Sequence, residues 1–203
     1  MIHVLDYGLG NVGAFLSRFN EMSIPAIPAR NADTLSKADH IILPGVGSFD
    51  YAMNLLNQSG MRETLDELVL DKKVHVLGIC VGMQILGQAS EEGSQSGLGW
   101  IAGKIRSLAE RGSPNSQPLP HMGWNDVKQP HPVAVLQNIE NPRFYFLHSY
   151  YFDNELAENS AATVDYDGSF TCIVNNENIW GVQFHPEKSH HFGSALLKNF
   201  AEL

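Results

Sequence analysis

The pattern of apolar and polar residues changes between the two halves of the chain. In the first half, short apolar runs typical of buried strands alternate with stretches in which apolar residues recur every three or four positions. The strands are expected at residues 2–6, 24–28, 40–43 and 74–79, and the helical patterns at 12–22, 49–56 and 61–69. This alternation predicts an α/β fold with an open, mostly parallel sheet and helices on both faces.

From residue 97 onward, short runs of β-type residues are separated by Gly, Pro, Asn and Asp, which predicts an antiparallel β extension. The strongest runs lie at 143–148 and 179–184, and Asp165–Ser169 has the composition of a hairpin turn. A final helix carries Phe192, Leu196, Phe200 and Leu203 on one face, with Ser189 as its N-cap. We expect residues 1–203 to form one domain, and the loop at 111–120 to be its most mobile segment.

Composition excludes several classes of protein. The net charge is −9 without a basic run, so a nucleic-acid surface is not expected. No apolar stretch approaches the roughly 20 residues of a membrane span, and the N-terminus lacks the pattern of a signal peptide. Two cysteines, Cys80 and Cys172, do not make a disulfide framework. These features favour a cytoplasmic protein without a membrane partner.

Cys80 is the strongest candidate for chemistry. It lies in Gly78-Ile79-Cys80-Val81-Gly82, directly after an apolar run and directly before a helical pattern. This is the layout of a nucleophile elbow, in which a tight turn strains the backbone of the nucleophile and requires small neighbours. The N-terminus of the following helix would favour a thiolate. A lone cysteine is usually a small buried hydrophobe, but the two flanking glycines favour a nucleophile.

A cysteine nucleophile needs a base, and His185 in Phe-His-Pro-Glu is the candidate. Pro186 should hold His185 in an extended conformation, which would place Glu187 on the same side as the imidazole. A carboxylate there would orient the ring. His-x-Glu is common by itself, so its weight comes from the combination with Cys80. The Pro44–Gly47 turn could present N–H groups to an oxyanion, although by itself this motif is more often an ordinary strand-to-helix turn.

Two rival sites are weaker. Gly8–Gly13 satisfies G-x-G-x-x-G, and Asp33 lies at the distance of a ribose contact, which would suit a dinucleotide-binding oxidoreductase. However, Asp6-Tyr7 separates the apolar run of the first strand from Gly8, Asp33 lies beyond the second strand, and Cys80 would have no role. A metal site at His185, His190 and His191 is not expected, since no second ligand group accompanies them.

Three stretches resemble the class I (triad) glutamine amidotransferases: Gly-Ile-Cys-Val-Gly-Met-Gln at 78–84, Pro-Gly-Val-Gly at 44–47 and Gln-Phe-His-Pro-Glu-Lys-Ser at 183–189. Three more, at 6–11, 120–125 and 148–150, narrow the resemblance to members that act as the glutaminase subunit of a two-protein synthase in histidine biosynthesis. The similarity spans essentially the whole chain. One departure is Val81, where the family commonly has Leu, but a β-branched residue leaves the backbone N–H intact.

The resemblance implies a role for each matching residue. Cys80 attacks the amide of glutamine, His185 transfers protons, and Glu187 orients His185. The remaining assignments are an oxyanion hole at Val46, Gly47 and Val81, a glutamine site at Gly45, Gln84, Glu92, His148, Ser149 and Tyr150, and a partner interface at Asn11, Trp124 and Lys188. Neither a metal nor an organic cofactor is implied.

The resemblance also implies a partner. Ammonia would pass to a HisF-type (β/α)₈ synthase subunit in a heterodimer, and the chain alone would be a poor glutaminase until the Gly45-Val46 peptide rearranges. An alternative acceptor remains open, because a paralogous group supplies ammonia for the amidation of a surface-polysaccharide sugar with the same glutaminase chemistry. The acceptor site would lie on the partner in either case.

Overall fold

The computed structural model describes residues 1–111 and 117–203. These residues form twelve strands: β1 Ile2–Leu5, β2 Ala26–Ala29, β3 His40–Gly45, β4 His75–Cys80, β5 Ala89–Ser90, β6 Gly103–Ser107, β7 His121–Lys128, β8 Arg143–His148, β9 Tyr150–Asn154, β10 Ser160–Asp165, β11 Ser169–Asn176 and β12 Ile179–Val182. The six α-helices are α1 Val12–Glu21, α2 Ala32–Leu35, α3 Phe49–Gln58, α4 Arg62–Asp66, α5 Val81–Gln84 and α6 His190–Ala201. A π-helical turn, Glu67–Asp71, continues α4.

The strands join in the order β2-β1-β3-β4-β12-β11-β10-β7-β8. The first five are parallel neighbours, and every pairing from β12 to β8 is antiparallel. A branch leaves β11 through β9 to β6 and β5. Helices pack on the parallel part, with α1 against α6 and α3 against α5. The predicted α/β class is confirmed, including the antiparallel extension of the second half.

Strand β3 is longer than the sequence pattern predicted. It runs through Pro44 to Gly45, and Gly45 pairs with Cys80 of β4. On its other side β3 pairs with β1 only as far as Ile42. Pro44 therefore lies where no strand requires its missing N–H, which is the position in which a sheet tolerates proline. The extra length carries the β3 backbone to the level of Cys80.

Two further expectations differ from the structure. The helix after Cys80 is α5, a single turn of four residues, so its dipole offers less to a thiolate than a long helix would. Ser189 precedes α6, but its side chain does not cap the helix. Instead, its hydroxyl donates to the His185 carbonyl at 2.7 Å and accepts from the Tyr145 N–H at 3.0 Å. Ser189 thus connects the segment after β12 to β8.

The Asp165–Ser169 turn is confirmed as a hairpin between β10 and β11. The loop expected to be mobile, residues 111–120, falls partly on residues 112–116, which lie outside the described part of the chain. Among the helices of the described residues, none has the length and apolarity needed to cross a membrane.

Candidate active site

Cys80 ends β4 in the strained conformation that the elbow motif predicts. Its φ of 55° and ψ of −112° lie outside the regions that L-residues prefer. The turn is tight enough that a Cβ on Gly78 would meet the Gly82 carbonyl, and a Cβ on Gly82 would overlap the Leu43 carbonyl. Such strain costs about 1–3 kcal/mol and persists only where the surrounding structure enforces it. Here the two glycines allow β3 and α5 to enclose Cys80.

The Cys80 thiol is nearly buried, and besides His185 it has two polar neighbours. Its Sγ lies 3.8 Å from the Leu147 carbonyl oxygen and 3.8 Å from Nε2 of Gln183. Leu147 belongs to β8, and Gln183 follows β12. Since Gln183 is fully buried and its amide nitrogen can only donate, it is placed to hold the sulfur in one orientation.

His185 and Glu187 form the expected pair, but the backbone conformation between them differs from the prediction. Nδ1 of His185 lies 2.8 Å from Oε1 of Glu187, and both side chains are about 95% buried (4% and 5% exposed). His185 itself is extended, as predicted, but Pro186–Lys188 is a 3₁₀ turn, so the extended geometry expected between His185 and Glu187 was wrong. Pro186 starts the turn readily because it lacks an N–H, and the turn returns the carboxylate to the imidazole.

Strand β8 holds the histidine segment in place. The His185 N–H donates to the Tyr145 carbonyl at 2.9 Å. The ring of Phe184 stacks on Phe144 with centroids 3.9 Å apart, and Phe146 meets it edge-on at 5.4 Å. Stacked aromatic pairs of this kind fix side chains in single rotamers. His185 is therefore anchored through the ring of Phe184, which precedes it, and through its own backbone N–H.

The proton on His185 is stabilised by its two partners. Burial by itself would lower the pKa of His185, but hydrogen bonds and charge interactions with Cys80 and Glu187 outweigh burial and raise the pKa from 6.5 to about 9. Because Nδ1 is held by Glu187, Nε2 is the nitrogen left for Cys80. The arrangement can therefore accept the thiol proton and retain it near neutral pH.

A cleft of about 300 Å³ opens beside Cys80 and His185, which is at the small end of the range for small-molecule sites. Most residues that the sequence assigned to the oxyanion hole and to glutamine line it: Val46, Gly47, Val81, Gln84, Glu92, His148, Ser149 and Tyr150. Lys188, assigned to the partner interface, lines it as well. The cleft brings together residues from β4, α5, β8 and β9, from the segment after β3 and from the turn after β12.

Gly45 does not line the cleft. It is buried against α5, and an added Cβ would overlap the backbone nitrogen of Gly82. Its contribution is to let the end of β3 approach the elbow closely, which places Val46 and Gly47 beside Cys80 and Val81 at the cleft wall. Val46 remains 44% exposed.

Two polar side chains of the cleft are also tied to the scaffold. Gln84 is buried and donates through Nε2 to the Tyr150 carbonyl at 3.3 Å and to Oε1 of Gln183 at 3.2 Å. Glu92 accepts from the Phe49 N–H at 2.8 Å and thereby satisfies one of the free donors at the start of α3. The Glu92 carboxylate is thus held in place before any substrate binds.

The expected interface residues lie on two parts of the structure. Trp124 is 38% exposed and stacks on His190 with centroids 5.4 Å apart, and Lys188 lies over the ring of Tyr145 at 5.9 Å. Asn11 caps α1, accepting from the Ala14 N–H at 3.1 Å. Trp124 and Tyr145 pair across β7 and β8. The structure therefore gathers Trp124 and Lys188 on one surface, whereas Asn11 lies on the loop that precedes α1.

The glycine-rich loop at 8–13 packs against the end of β3. A Cβ on Gly10, whose φ is 83°, would collide with the Pro44 side chain, and the hydroxyl of Tyr7 donates to the Pro44 carbonyl at 2.7 Å. Asp33 lies in α2 rather than at a strand end. Gly10 is thus explained by packing and not by the approach of a pyrophosphate. Among residues 1–111 and 117–203, no three His, Cys, Asp or Glu side chains form a group that could hold a metal ion.

Sequence reasoning missed four residues at the site. Pro120 and Leu147 line the cleft, Gln183 contacts the sulfur, and His121 hydrogen-bonds His148. Gln183 belongs to a motif that was recognised, and its position two residues before His185 was the available signal. Pro120 and His121 likewise belong to the recognised stretch at 120–125, but the contact of His121 with His148 depends on the pairing of β7 with β8.

Comparisons with known proteins identify the family of the chain. The family model for class-I glutamine amidotransferases matches residues 3–203. The chain is 51% identical to the imidazole glycerol phosphate synthase subunit HisH of Bdellovibrio bacteriovorus and 50% identical to that of Leptospira borgpetersenii, each over the full length of both chains. A crystal structure of a glutamine amidotransferase superposes with a TM-score of 0.77 at 17% identity, covering 99% of this chain and 97% of the other, which supports the fold. The chain therefore belongs to the class-I glutamine amidotransferase family and, within it, to the HisH group, and it is an enzyme.

Proposed function

We propose that the chain is a glutaminase subunit that hydrolyses glutamine to glutamate and ammonia through Cys80, His185 and Glu187. The observation that carries this proposal is the strained Cys80 facing a buried imidazole whose pKa is raised to about 9. A thiolate beside an imidazolium is the reactive form of a cysteine nucleophile. The cleft of about 300 Å³ suits a single amino acid.

In the first half of the reaction, His185 accepts the thiol proton, and the Cys80 sulfur attacks the side-chain amide carbon of glutamine. A carbon–sulfur bond forms, and the carbonyl oxygen becomes an oxyanion. Backbone N–H groups at Val46, Gly47 and Val81 would stabilise that charge, as preorganised donors do in acyl transfer. His185 then donates its proton to the amide nitrogen, the carbon–nitrogen bond breaks, and ammonia leaves.

In the second half, water attacks the thioester. His185 takes a proton from the water, the carbon–sulfur bond breaks, and glutamate leaves with the thiol restored. The Glu187 carboxylate accepts from Nδ1 of His185 and keeps that nitrogen as the donor. The carboxylate of Glu92 would face the ammonium group of glutamine, and Gln84 with the His148–Tyr150 segment would form the opposite wall.

For the ammonia, we propose transfer to a HisF-type (β/α)₈ synthase subunit in a heterodimer, in the step of histidine biosynthesis that makes imidazole glycerol phosphate and AICAR. The relatives at 50–51% identity are imidazole glycerol phosphate synthase subunits, which supports this assignment. An apolar rim beside the cleft also supports it, because Met122 is 63% exposed, Leu147 36% and Trp124 38%. Exposed apolar residues grouped at a cleft mouth are typical of an interaction surface.

We further propose that residues 1–203 act as one amidotransferase domain in the cytoplasm, with no metal or organic cofactor of their own. The single sheet that connects all twelve strands supports one domain. Function in the cytoplasm follows from the proposed biosynthetic role.

The test is glutamate formation by the chain with and without a HisF-type subunit, compared with Cys80→Ser. We expect activity that depends on the partner and is lost in the variant. Ammonia transfer, assayed with the precursor of imidazole glycerol phosphate and with a polysaccharide sugar acceptor, then identifies the pathway. Glutamine hydrolysis by Cys80→Ser at the rate of the unaltered chain would contradict the proposal.

A further inference from the structure

A buried chain of hydrogen bonds leads from β7 to the wall of the cleft. Asn125 Nδ2 lies 3.2 Å from Nε2 of His121, and Nδ1 of His121 lies 2.9 Å from Nε2 of His148. Nδ1 of His148 in turn lies 2.7 Å from the Tyr150 carbonyl oxygen. Along β7, His121 and Asn125 point inward while Met122 and Trp124 point outward. Of the four residues in this hydrogen-bonded series, only His148 and Tyr150 line the cleft.

The donor and acceptor of every hydrogen bond in this series follow from the groups at its two ends, the Tyr150 carbonyl and the Asn125 amide. The Tyr150 carbonyl can only accept, so His148 carries its proton on Nδ1 and offers a bare Nε2. His121 must then donate from Nδ1, which leaves its own Nε2 as an acceptor. The Asn125 amide fills that acceptor and also donates to the Asp165 carbonyl at 2.9 Å. All bonds are satisfied only when both histidines are neutral and carry the proton on Nδ1.

The surroundings favour the neutral state. His121 is stacked between Phe146 and Tyr166, with centroids at 4.6 Å and 4.0 Å, and Phe170 meets both imidazoles edge-on. Burial lowers the pKa of His121 to about 4, and burial together with His121 and His185 lowers the pKa of His148 to about 3.

The ionisable groups around the pair do not favour a charge on it. On the helical side of the cleft, His185 adds to the lowering of the His148 pKa. On the β10–β11 side, the Asp165 carbonyl oxygen accepts from Asn125, and burial together with the charge of Asp167 raises the pKa of Tyr166. The guanidinium of Arg111 lies over the ring of Phe170 at 5.7 Å. A proton added to either imidazole would set two donors against each other.

The Tyr150 carbonyl connects this series of hydrogen bonds to Cys80. It accepts from His148 at 2.7 Å and from Gln84 at 3.3 Å, and Gln84 donates to Gln183, which contacts Cys80. The bend at Ser149 between β8 and β9 is therefore held from both sides of the cleft. We propose that His121 and Asn125 are positioning residues of the glutamine site, which act through His148 to hold the His148–Tyr150 wall in its binding geometry.

The experiment compares two substitutions at His121. Asn places an amide nitrogen where Nδ1 of the imidazole lies and can still donate to His148, whereas Leu fills similar space without a donor. This inference rests on the proposed glutaminase activity, so both variants are assayed for glutamine hydrolysis in the complex with the synthase subunit. We expect His121→Leu to raise KM for glutamine about tenfold with kcat changed less than about twofold, and His121→Asn to restore KM to within about threefold. Equal KM values for the two variants, or no change in either, would overturn the proposal.

A second measurement needs neither folding of the variants nor activity. Long-range ¹H–¹⁵N NMR of histidine-labelled, unaltered chain identifies the tautomer of each imidazole. We expect His121 and His148 both to be neutral with the proton on Nδ1 from about pH 6 to about pH 8. An Nε2-protonated or charged form of either ring would refute the inference even in an active enzyme. An inactive complex with both expected tautomers would instead count against the proposed function alone.

Discussion

Glu187→Gln tests the electrostatics of the proposed catalytic triad. The substitution keeps an oxygen for Nδ1 of His185 and keeps the volume of the side chain, but it removes a buried negative charge that lies 2.8 Å from the ring. The variant therefore separates the charge of Glu187 from its packing. Its first effect should be on the proton held by His185.

The size of the effect follows from the pKa of His185, which is raised from 6.5 to about 9. Since one pKa unit corresponds to about 1.4 kcal/mol, the folded chain favours the imidazolium by about 3 kcal/mol relative to the unfolded chain. Cys80 and Glu187 share this stabilisation. A neighbouring opposite charge typically contributes about 1–3 units, so we expect the variant to lower the pKa of His185 by about 1–2 units.

The assay is an NMR titration of His185, accompanied by the pH dependence of glutamine hydrolysis in the complex. Because the imidazolium is lost as pH rises through its pKa, the alkaline limb of activity should lie near pH 9 and move down with that pKa. We expect kcat near neutral pH to fall by about 10- to 100-fold. Glu177→Gln, at an exposed pair with Lys73, is the matched control and should change neither property. An unchanged pKa of His185 in Glu187→Gln would refute the reasoning.

Three further predictions concern packing, acid stability and the partner. Gly45→Ala should reduce glutamine hydrolysis by at least about 100-fold and lower the free energy of unfolding by about 1–3 kcal/mol, because the added Cβ overlaps Gly82 at the elbow. Gly60→Ala is the control, since its Cβ would lie in open space, and it should affect stability only. Equal losses of activity in the two variants would contradict this prediction. Burial lowers the pKa of His148 to about 3, so the unfolded chain binds more protons than the folded chain below about pH 6.5. The free energy of unfolding, measured in urea, should therefore fall by a few kcal/mol between about pH 7 and about pH 4. A flat profile would contradict the neutral histidine pair. Trp124→Ala should weaken binding of the synthase subunit by about 10- to 100-fold in a titration while leaving thermal unfolding of the free chain nearly unchanged; unaltered affinity would exclude this surface.

The parts of the site that could be predicted from the sequence are those set by local geometry. A nucleophile elbow requires small residues within two positions of the nucleophile, so Gly78 and Gly82 reveal it in the sequence itself. The His185–Glu187 pair is close in sequence for the same reason, although the backbone between them is a 3₁₀ turn. The alternation of strands and helices likewise reports burial at each position, which gave the fold class.

Features that depend on pairing between distant strands could not be predicted. His121 and His148 meet because β7 and β8 pair with those two residues opposite each other, and no local pattern specifies that register. The passage of β3 through Pro44 is possible only because β1 has already ended beside it. Gln183 was visible within its motif, but its contact with Cys80 requires β12 to lie next to β4. Each of these outcomes belongs to the tertiary structure.

The central claim is that Cys80 is the nucleophile that attacks glutamine, and covalent labelling tests it most directly. A diazo-ketone analogue of glutamine, reacted with the assembled complex and located by peptide mass spectrometry, should modify Cys80, with glutamine protecting it. Cys172 provides an internal control, since it is fully buried in β11 and burial raises the pKa of its thiol. We predict a single label on Cys80 and none in Cys80→Ala. Labelling at another residue, or undiminished glutamine hydrolysis by Cys80→Ala, would contradict the account.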